Sequence, residues 1–311
     1  MAWLLLPLGV LFLLVAALRR LAYRLGLLAS VRLPVPVVVV GNITVGGSGK
    51  TPLVIWLVDE LRRRGRHPGV ISRGHGGDGG VCEVRSDSAA AEVGDEPMLI
   101  RRRTGCPVFV GRDRAAAGRA LLAAHPDCDL LVADDGLQHY RLARDLEIAV
   151  VDGRGLQNGW PLPAGPLREP AGRLRQVQAV VANGWGGAAG YRLQLAGDRF
   201  YRLGEPTATF TAEALPRAEL HAVAGIGDPS RFFAHLAGLG LHFAAHAFPD
   251  HHPYGPSDLA FAGGIILTTE KDAVKLTGLT SLPVWVLPVT AQVQPDLAQF
   301  VLERLDGSSP A

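Results

Sequence analysis

The stretch VPVVVVGNITVGGSGKTPLVIWLVDELRRRG, residues 35–65, limits the fold more tightly than any other part of the chain. Val35 to Val40 is an apolar run without polar alternation, which suits a strand buried on both faces. Gly46, Gly47 and Gly49 then form a glycine-rich loop, and an amphipathic helix follows from Lys50. Arg62, Arg63, Arg64 and Arg66 close that helix, where cations complement the negative end of its dipole.

The same rhythm recurs downstream. HPGVIS (67–72), CPVFV (106–110), DLLVA (129–133), EIAVV (147–151) and QAVVA (178–182) are short apolar runs separated by helix-sized intervals. Such strands imply a parallel sheet covered on both faces, hence a doubly wound α/β domain. Near Tyr191 the pattern changes: YRLQLAGDRFYRL alternates about Gly197-Asp198, which reads as a β-hairpin. Beyond Arg217 a second α/β pattern begins, with HAVAGIG before SRFFAHLAGLG and GGIILTTEKD before AVKL. The expected organisation is a hydrophobic helix over 1–27, a phosphate-loop domain over 28–189, a hairpin linker over 190–212 and a smaller C-terminal α/β domain over 213–311.

Composition narrows the partners. With 31 Lys+Arg against 29 Asp+Glu the net charge is +2, which argues against a nucleic-acid surface. Lysine is scarce: only Lys50, Lys271 and Lys275 carry an ammonium, so each position is informative. Cys82, Cys106 and Cys128 show no paired spacing and no adjacent histidine, and are expected to be reduced and buried rather than bridged or zinc-bound.

Ala2 to Leu18 is continuously apolar and is followed by Arg19, Arg20 and Arg24. The run is long enough to engage a bilayer and barely long enough to span one. It lacks the basic start and small-residue cleavage site of a secretory signal. Arginines on its C-terminal side place the rest of the chain in the cytoplasm. Pro7 and the marginal length leave spanning and interfacial insertion both open.

The loop Thr44, Val45, Gly46, Gly47, Ser48, Gly49, Lys50 and Thr51 carries the chemistry of a phosphate cradle. Backbone N–H groups close round phosphate oxygens, Lys50 reaches the β- and γ-phosphates, and the Thr51 hydroxyl ligands magnesium. Thr44 stands where the strict motif has its first glycine. Asp134 and Asp135 follow an apolar strand directly, the position of the magnesium-binding carboxylate in phosphate-loop proteins. In a parallel sheet this acidic pair and the loop share one crevice. Gln138 and His139 follow the pair, within reach of magnesium, nucleotide or acceptor, or stabilising a loop.

Taken together, GNITVGGSGKTP, GDEPMLI, DDGLQHYRLARD, PAGPLREP, FPDHHPY and TTEKDAVKL resemble, in order, the tetraacyldisaccharide 4′-kinase family of lipid A biosynthesis. The resemblance runs from the N-terminus to about Lys275. It implies ATP and Mg²⁺ as cofactors, two domains flanking a cleft, and transfer of the γ-phosphate to the 4′-hydroxyl of an acylated disaccharide 1-phosphate. The site implied is the cytoplasmic face of the inner membrane, with the bilayer as partner and no obligate protein partner. Asp95 resembles the family's catalytic aspartate and His251 the histidine paired with it, although alone Asp95 would read as a helix cap. Arg168 and Glu169 resemble residues at the family's cleft, with loop stabilisation as the other reading, and Asp250 is placed to orient His251. Lys271 fits a phosphate contact or a structural ion pair equally. Arg101 to Arg103 fit a solvated helix face better than a lipid or phosphate contact.

A membrane-associated phosphate-loop ATPase or GTPase is the alternative, though the guanine-reading N-K-x-D string is absent. A non-catalytic nucleotide-binding scaffold would need no candidate base at Asp95.

Overall fold

The computed structural model describes residues 2–74 and 79–307. A turn of 3-10 helix, Ala2–Leu5, leads into α1 (Leu6–Arg24). The first sheet contains β1 (Val37–Gly41), β2 (Pro68–Ser72), β3 (Cys82–Glu83), β4 (Val108–Val110), β5 (Leu130–Asp134), β6 (Leu146–Asp152), β7 (Ala179–Asn183) and β8 (Tyr191–Ala196). The second contains β9 (Arg199–Arg202), β10 (Glu205–Thr211), β11 (Leu220–Ala224), β12 (Ala244–Ala247), β13 (Ile265–Thr269) and β14 (Val284–Leu287). The chain then returns to the first sheet with β15 (Thr290–Gln294). The helices after α1 are α2 (Lys50–Arg63), α3 (Ala90–Val93), α4 (Asp95–Thr104), α5 (Arg114–Ala124), α6 (Pro229–Gly238), α7 (Glu270–Leu276) and α8 (Leu297–Asp306).

The first sheet runs β15-β8-β7-β6-β1-β5-β2-β4-β3, with β1 parallel to both β5 and β6. All of the six apolar runs became strands of its parallel centre. Alternate residues of β1 explain why it lacks polar positions: Val38 and Val40 pack in the core under α2, α4 and α8, while Val37 and Val39 pack in the core under α5. A strand sandwiched this way has no solvent face. The second sheet runs β10-β9-β14-β13-β11-β12, parallel from β14 to β12.

Three expectations change in detail. The hairpin of the linker pairs β9 with β10, so its turn lies at Leu203-Gly204 and not at Gly197-Asp198. Gly197-Asp198 instead carries the chain between sheets, and a Cβ on Gly197 would lie 2.1 Å from the Pro288 carbonyl oxygen in the returning link between β14 and β15. A half-exposed strand alternates in the same way whether its neighbour is the next strand or a distant one, so the pattern did not fix the partner. The C-terminal segment also differs, because β15 pairs with β8 and α8 buries Leu297, Ala298 and Val301 in the first domain's core. Finally, Cys106 and Cys128 are buried but Cys82 is exposed on the edge strand β3.

α2 is the main packing element behind the phosphate loop, with Leu53, Leu57 and Leu61 fully buried along one stripe. Leu57→Ala is expected to cost about 2–5 kcal/mol through lost burial and a residual cavity. A lower denaturation midpoint of the detergent-solubilised protein is the measurement; an unchanged midpoint would show that α2 is not held by this stripe.

Candidate active site

The C-terminal ends of β1 and β5 deliver the phosphate loop and the acidic pair to one crevice, as parallel pairing requires. Gly46 and Gly49 have φ of 92° and 86°, conformations that favour glycine. Successive loop carbonyls are all engaged: Gly46 O accepts from Asn42 Nδ2, Gly47 O from Arg154 Nη2, Ser48 O from Asn183 Nδ2 and Gly49 O from the Leu53 N–H. With its carbonyls tied outward, the loop from Gly46 into α2 leaves its N–H groups as the natural ligands for an anion at the positive end of the helix. Thr44 and Val45 stand apart from this cradle. Thr44 bridges to Leu167, and the Val45 N–H donates to Pro166 O at 2.9 Å.

Lys50 Nζ lies 3.5 Å from Asp135 Oδ1, and Arg168 Nη1 lies 3.1 Å from Asp135 Oδ2. The two adjacent aspartates are therefore electrostatically different. Burial opposes ionisation of Asp135, but the Lys50 and Arg168 charges outweigh it and lower its pKa. Asp134 is pushed up to about 7, first by burial and then by the neighbouring Asp135 charge. Asp134 Oδ1 and the Ser48 hydroxyl are buried without a hydrogen-bond partner. Buried polar atoms in this state call for a ligand, and a carboxylate oxygen beside an anion cradle has the chemistry to take a divalent cation.

The second centre is assembled from both domains. Gly94, at φ 90°, caps α4, so Asp95 is its first helical residue rather than its cap. His251 Nδ1 lies 3.0 and 3.2 Å from the two Asp95 carboxylate oxygens. His251 has φ 61° and Asp135 φ 49°, left-handed conformations that non-glycine residues rarely hold without surrounding constraint. Burial would raise the Asp95 pKa, but the His251 hydrogen bond and the Lys271, His251 and Lys275 charges hold it well below the usual carboxylate range. The hydrogen bond to Asp95 raises the His251 pKa, against the effect of burial.

Gln138 and Glu169 meet each other: Gln138 Nε2 donates to Glu169 Oε1 at 2.6 Å and to Asn42 O at 3.1 Å. Glu169 also accepts from the Tyr140 hydroxyl at 2.7 Å and from Arg173 Nε at 3.1 Å, a paired buried carboxylate beneath the cleft wall. His139 Nε2 is buried with no hydrogen-bond partner, and burial followed by the Arg114 charge lowers its pKa to about 4. One cavity of about 1690 Å³ joins these parts. It is lined by the loop from Gly46 to Thr51, by Asp134, Asp135, His251 and Lys271, and by α1 residues such as Leu14, Ala17 and Leu21.

Arg154 and Asn183 were missed in the sequence. Both sit just beyond the C-terminal ends of predicted strands, which was the available signal. Gly227 was missed too: its Cβ would lie 2.4 Å from Gly47 N, so the second domain's β11–α6 loop touches the phosphate loop.

The sequence profile of the family described as tetraacyldisaccharide-1-P 4'-kinase (LpxK) matches residues 1–306. A tetraacyldisaccharide 4'-kinase from Azoarcus sp. (strain BH72) is 55% identical, covering 99% of this chain and 93% of that protein. The one from Dechloromonas aromatica (strain RCB) is 52% identical over 99% and 94%. The crystal structure of LpxK from Aquifex aeolicus, an "apo" form in complex with ATP, matches with TM-score 0.83 at 29% identity over 98% and 99% of the two chains. A match of this extent has one reading: the chain belongs to the tetraacyldisaccharide 4′-kinase family.

Proposed function

We propose that this chain uses ATP and Mg²⁺ to phosphorylate the 4′-hydroxyl of a tetraacyldisaccharide 1-phosphate, with Asp95 accepting the hydroxyl proton and His251 orienting Asp95. The observation that carries the reading is the pairing of Asp95 and His251 across the two domains, beside a phosphate cradle in the same cavity.

The loop N–H groups and Lys50 hold the β- and γ-phosphates. Thr51, Asp134 and Asp135 would hold magnesium, whose contribution when bound is to neutralise phosphate charge. Arg168, anchored on Asp135, lines the same cavity as the phosphate loop and would meet charge building on the transferring group. Phosphoryl transfer runs through a loose transition state, so the acceptor hydroxyl becomes strongly acidic only as the new P–O bond forms. A carboxylate of low basicity such as Asp95 is then a sufficient acceptor, and its chief task is to aim the hydroxyl oxygen. Gln138, His139 and Glu169 form the acceptor side of the cleft, with Glu169 buttressing Gln138 rather than standing free.

Membrane residence follows from α1. Trp3–Arg24 has mean hydropathy 2.1 over an apolar window of which 6% is buried. It is nonetheless docked: Gly9 packs on Pro161, where a Cβ would come 2.9 Å from Cγ. Arg20 donates to Gln176 and lies 6.0 Å from the Tyr140 ring centroid. One helix thus offers leucines to the bilayer and others to the cavity, an arrangement suited to a substrate whose acyl chains remain in the membrane. Arg19, Arg20 and Arg24 set the catalytic domains on the cytoplasmic face of the inner membrane.

Purified protein given magnesium, labelled ATP and tetraacyldisaccharide 1-phosphate in detergent should yield labelled lipid. Lys50→Ala should abolish the product, and Asp95→Ala should lower kcat by about 10²–10⁴-fold. Label released only as free phosphate would make the protein an ATPase; full activity in Asp95→Ala would remove Asp95 from its role. Leu8, Leu11 and Leu18 are exposed on α1 away from the cavity. Replacing all three by Asp should release the protein from phospholipid vesicles in a sedimentation assay while turnover of detergent-dispersed substrate persists. Retained sedimentation would refute α1 as the membrane contact.

A further inference from the structure

All three lysine ammoniums of the chain converge on the cleft, and only Lys50 has a role in the mechanism above. Lys271, the second residue of α7, crosses the domain boundary. Its Nζ lies 2.7 Å from Glu96 Oε1 on α4, 3.0 Å from Asp250 Oδ1 and 3.3 Å from His251 Nε2. An ammonium has three hydrogens and no lone pair. Three polar atoms thus surround the ammonium, the imidazole nitrogen accepting when it carries no proton.

Asp95, Glu96 and His251 bring one ligand-type atom each to within 4.8 Å of one another, with Asp250 also close at hand. Such crowding of negative charge needs a cation nearby. Lys275 serves Asp95 from one side, at 3.4 Å, and is shared with Asp272 at 3.2 Å. Among the described residues, Lys271 is the lysine that faces the imidazole.

Resting on the reading of Asp95 and His251 as the reacting pair, we propose that Lys271 is a positioning residue: its ammonium occupies the Nε2 face of His251, opposing protonation there and keeping the Nδ1–H on Asp95. The charged groups around the ring act in opposite senses. Asp95 and Glu96 from α4, and Asp250 from its own turn, all favour an imidazolium; Lys271 from α7 opposes it. Without Lys271, His251 Nε2 takes a proton and donates it to Glu96, 3.3 Å away. His251 is then an imidazolium in a net-neutral ion pair with Asp95, and its charge stabilises the carboxylate and weakens it as a proton acceptor. Arginine would be a poor substitute, because its flat fork cannot meet three acceptors from one point.

The test is Lys271→Met in the full chain, assayed in detergent. Expected are a fall in kcat of about tenfold near neutral pH, an acid limb of the kcat–pH profile displaced upward by about one unit, and KM for ATP and lipid within about twofold of the parent. The ¹³Cε1 resonance of His251, assigned by its disappearance in His251→Gln, should titrate at correspondingly higher pH. Aminoethylation of Lys271→Cys in a Cys82→Ser background should return both midpoints. If Lys271→Met is too unstable to assay, Lys271→Gln keeps donors but no charge, and the limb must still move. A loss of kcat with the limb and the resonance unmoved would overturn the proposal, as would unchanged kcat. The dyad reading fails separately, through full activity in Asp95→Ala.

Discussion

The hydrogen bond between His251 and Asp95 is the point at which two separately built sheets become one site. A carboxylate buried to the extent of Asp95 is costly unless paired, and its partners come mainly from the other domain: His251 from the turn after β12, Lys275 from α7. Packing the two domains together and pairing Asp95 thus go together. The same α4–α7 interface carries Lys271 on Glu96 at one end and Arg103 on the buried Glu270 at the other, at 2.5 Å. Opposite charges on facing helices set the register in which the cleft closes.

The phosphate loop depends on contacts between the domains as well. Its carbonyls are held by Arg154 and Asn183, which project from the ends of β6 and β7, while Arg231 of α6 donates to the other face of Asn183 at 3.0 Å. Gly227 approaches Gly47 so closely that it tolerates no side chain without movement of the phosphate loop. The double connection between sheets, β8 to β9 outbound and β14 to β15 returning, limits how the domains turn. Two antiparallel segments resist twisting where a single linker would not. On the outer side, Gly9 seats α1 against Pro161 and brings an apolar helix to the rim of a polar cleft. One cavity thereby has an apolar wall and a polar one.

The sequence by itself determined the parallel centre of the first sheet, since a strand covered on both faces must be apolar at every position. It also determined the phosphate cradle, because φ values near 90° at Gly46 and Gly49 leave little choice of residue. The pairing of Asp95 with His251, expected from motif resemblance, is borne by contacts between residues far apart in the chain. Only the tertiary structure decided that β15 and α8 return to the first sheet, that the linker hairpin turns at Leu203-Gly204, and that Glu169 is bound up with Gln138, Tyr140 and Arg173. It also decided the partners of Lys271, which the sequence left between phosphate and carboxylate. The reason is physical: periodicity and special backbone angles are local properties, written residue by residue. The partner of a charge or of a half-exposed strand is settled by what the finished fold brings alongside it.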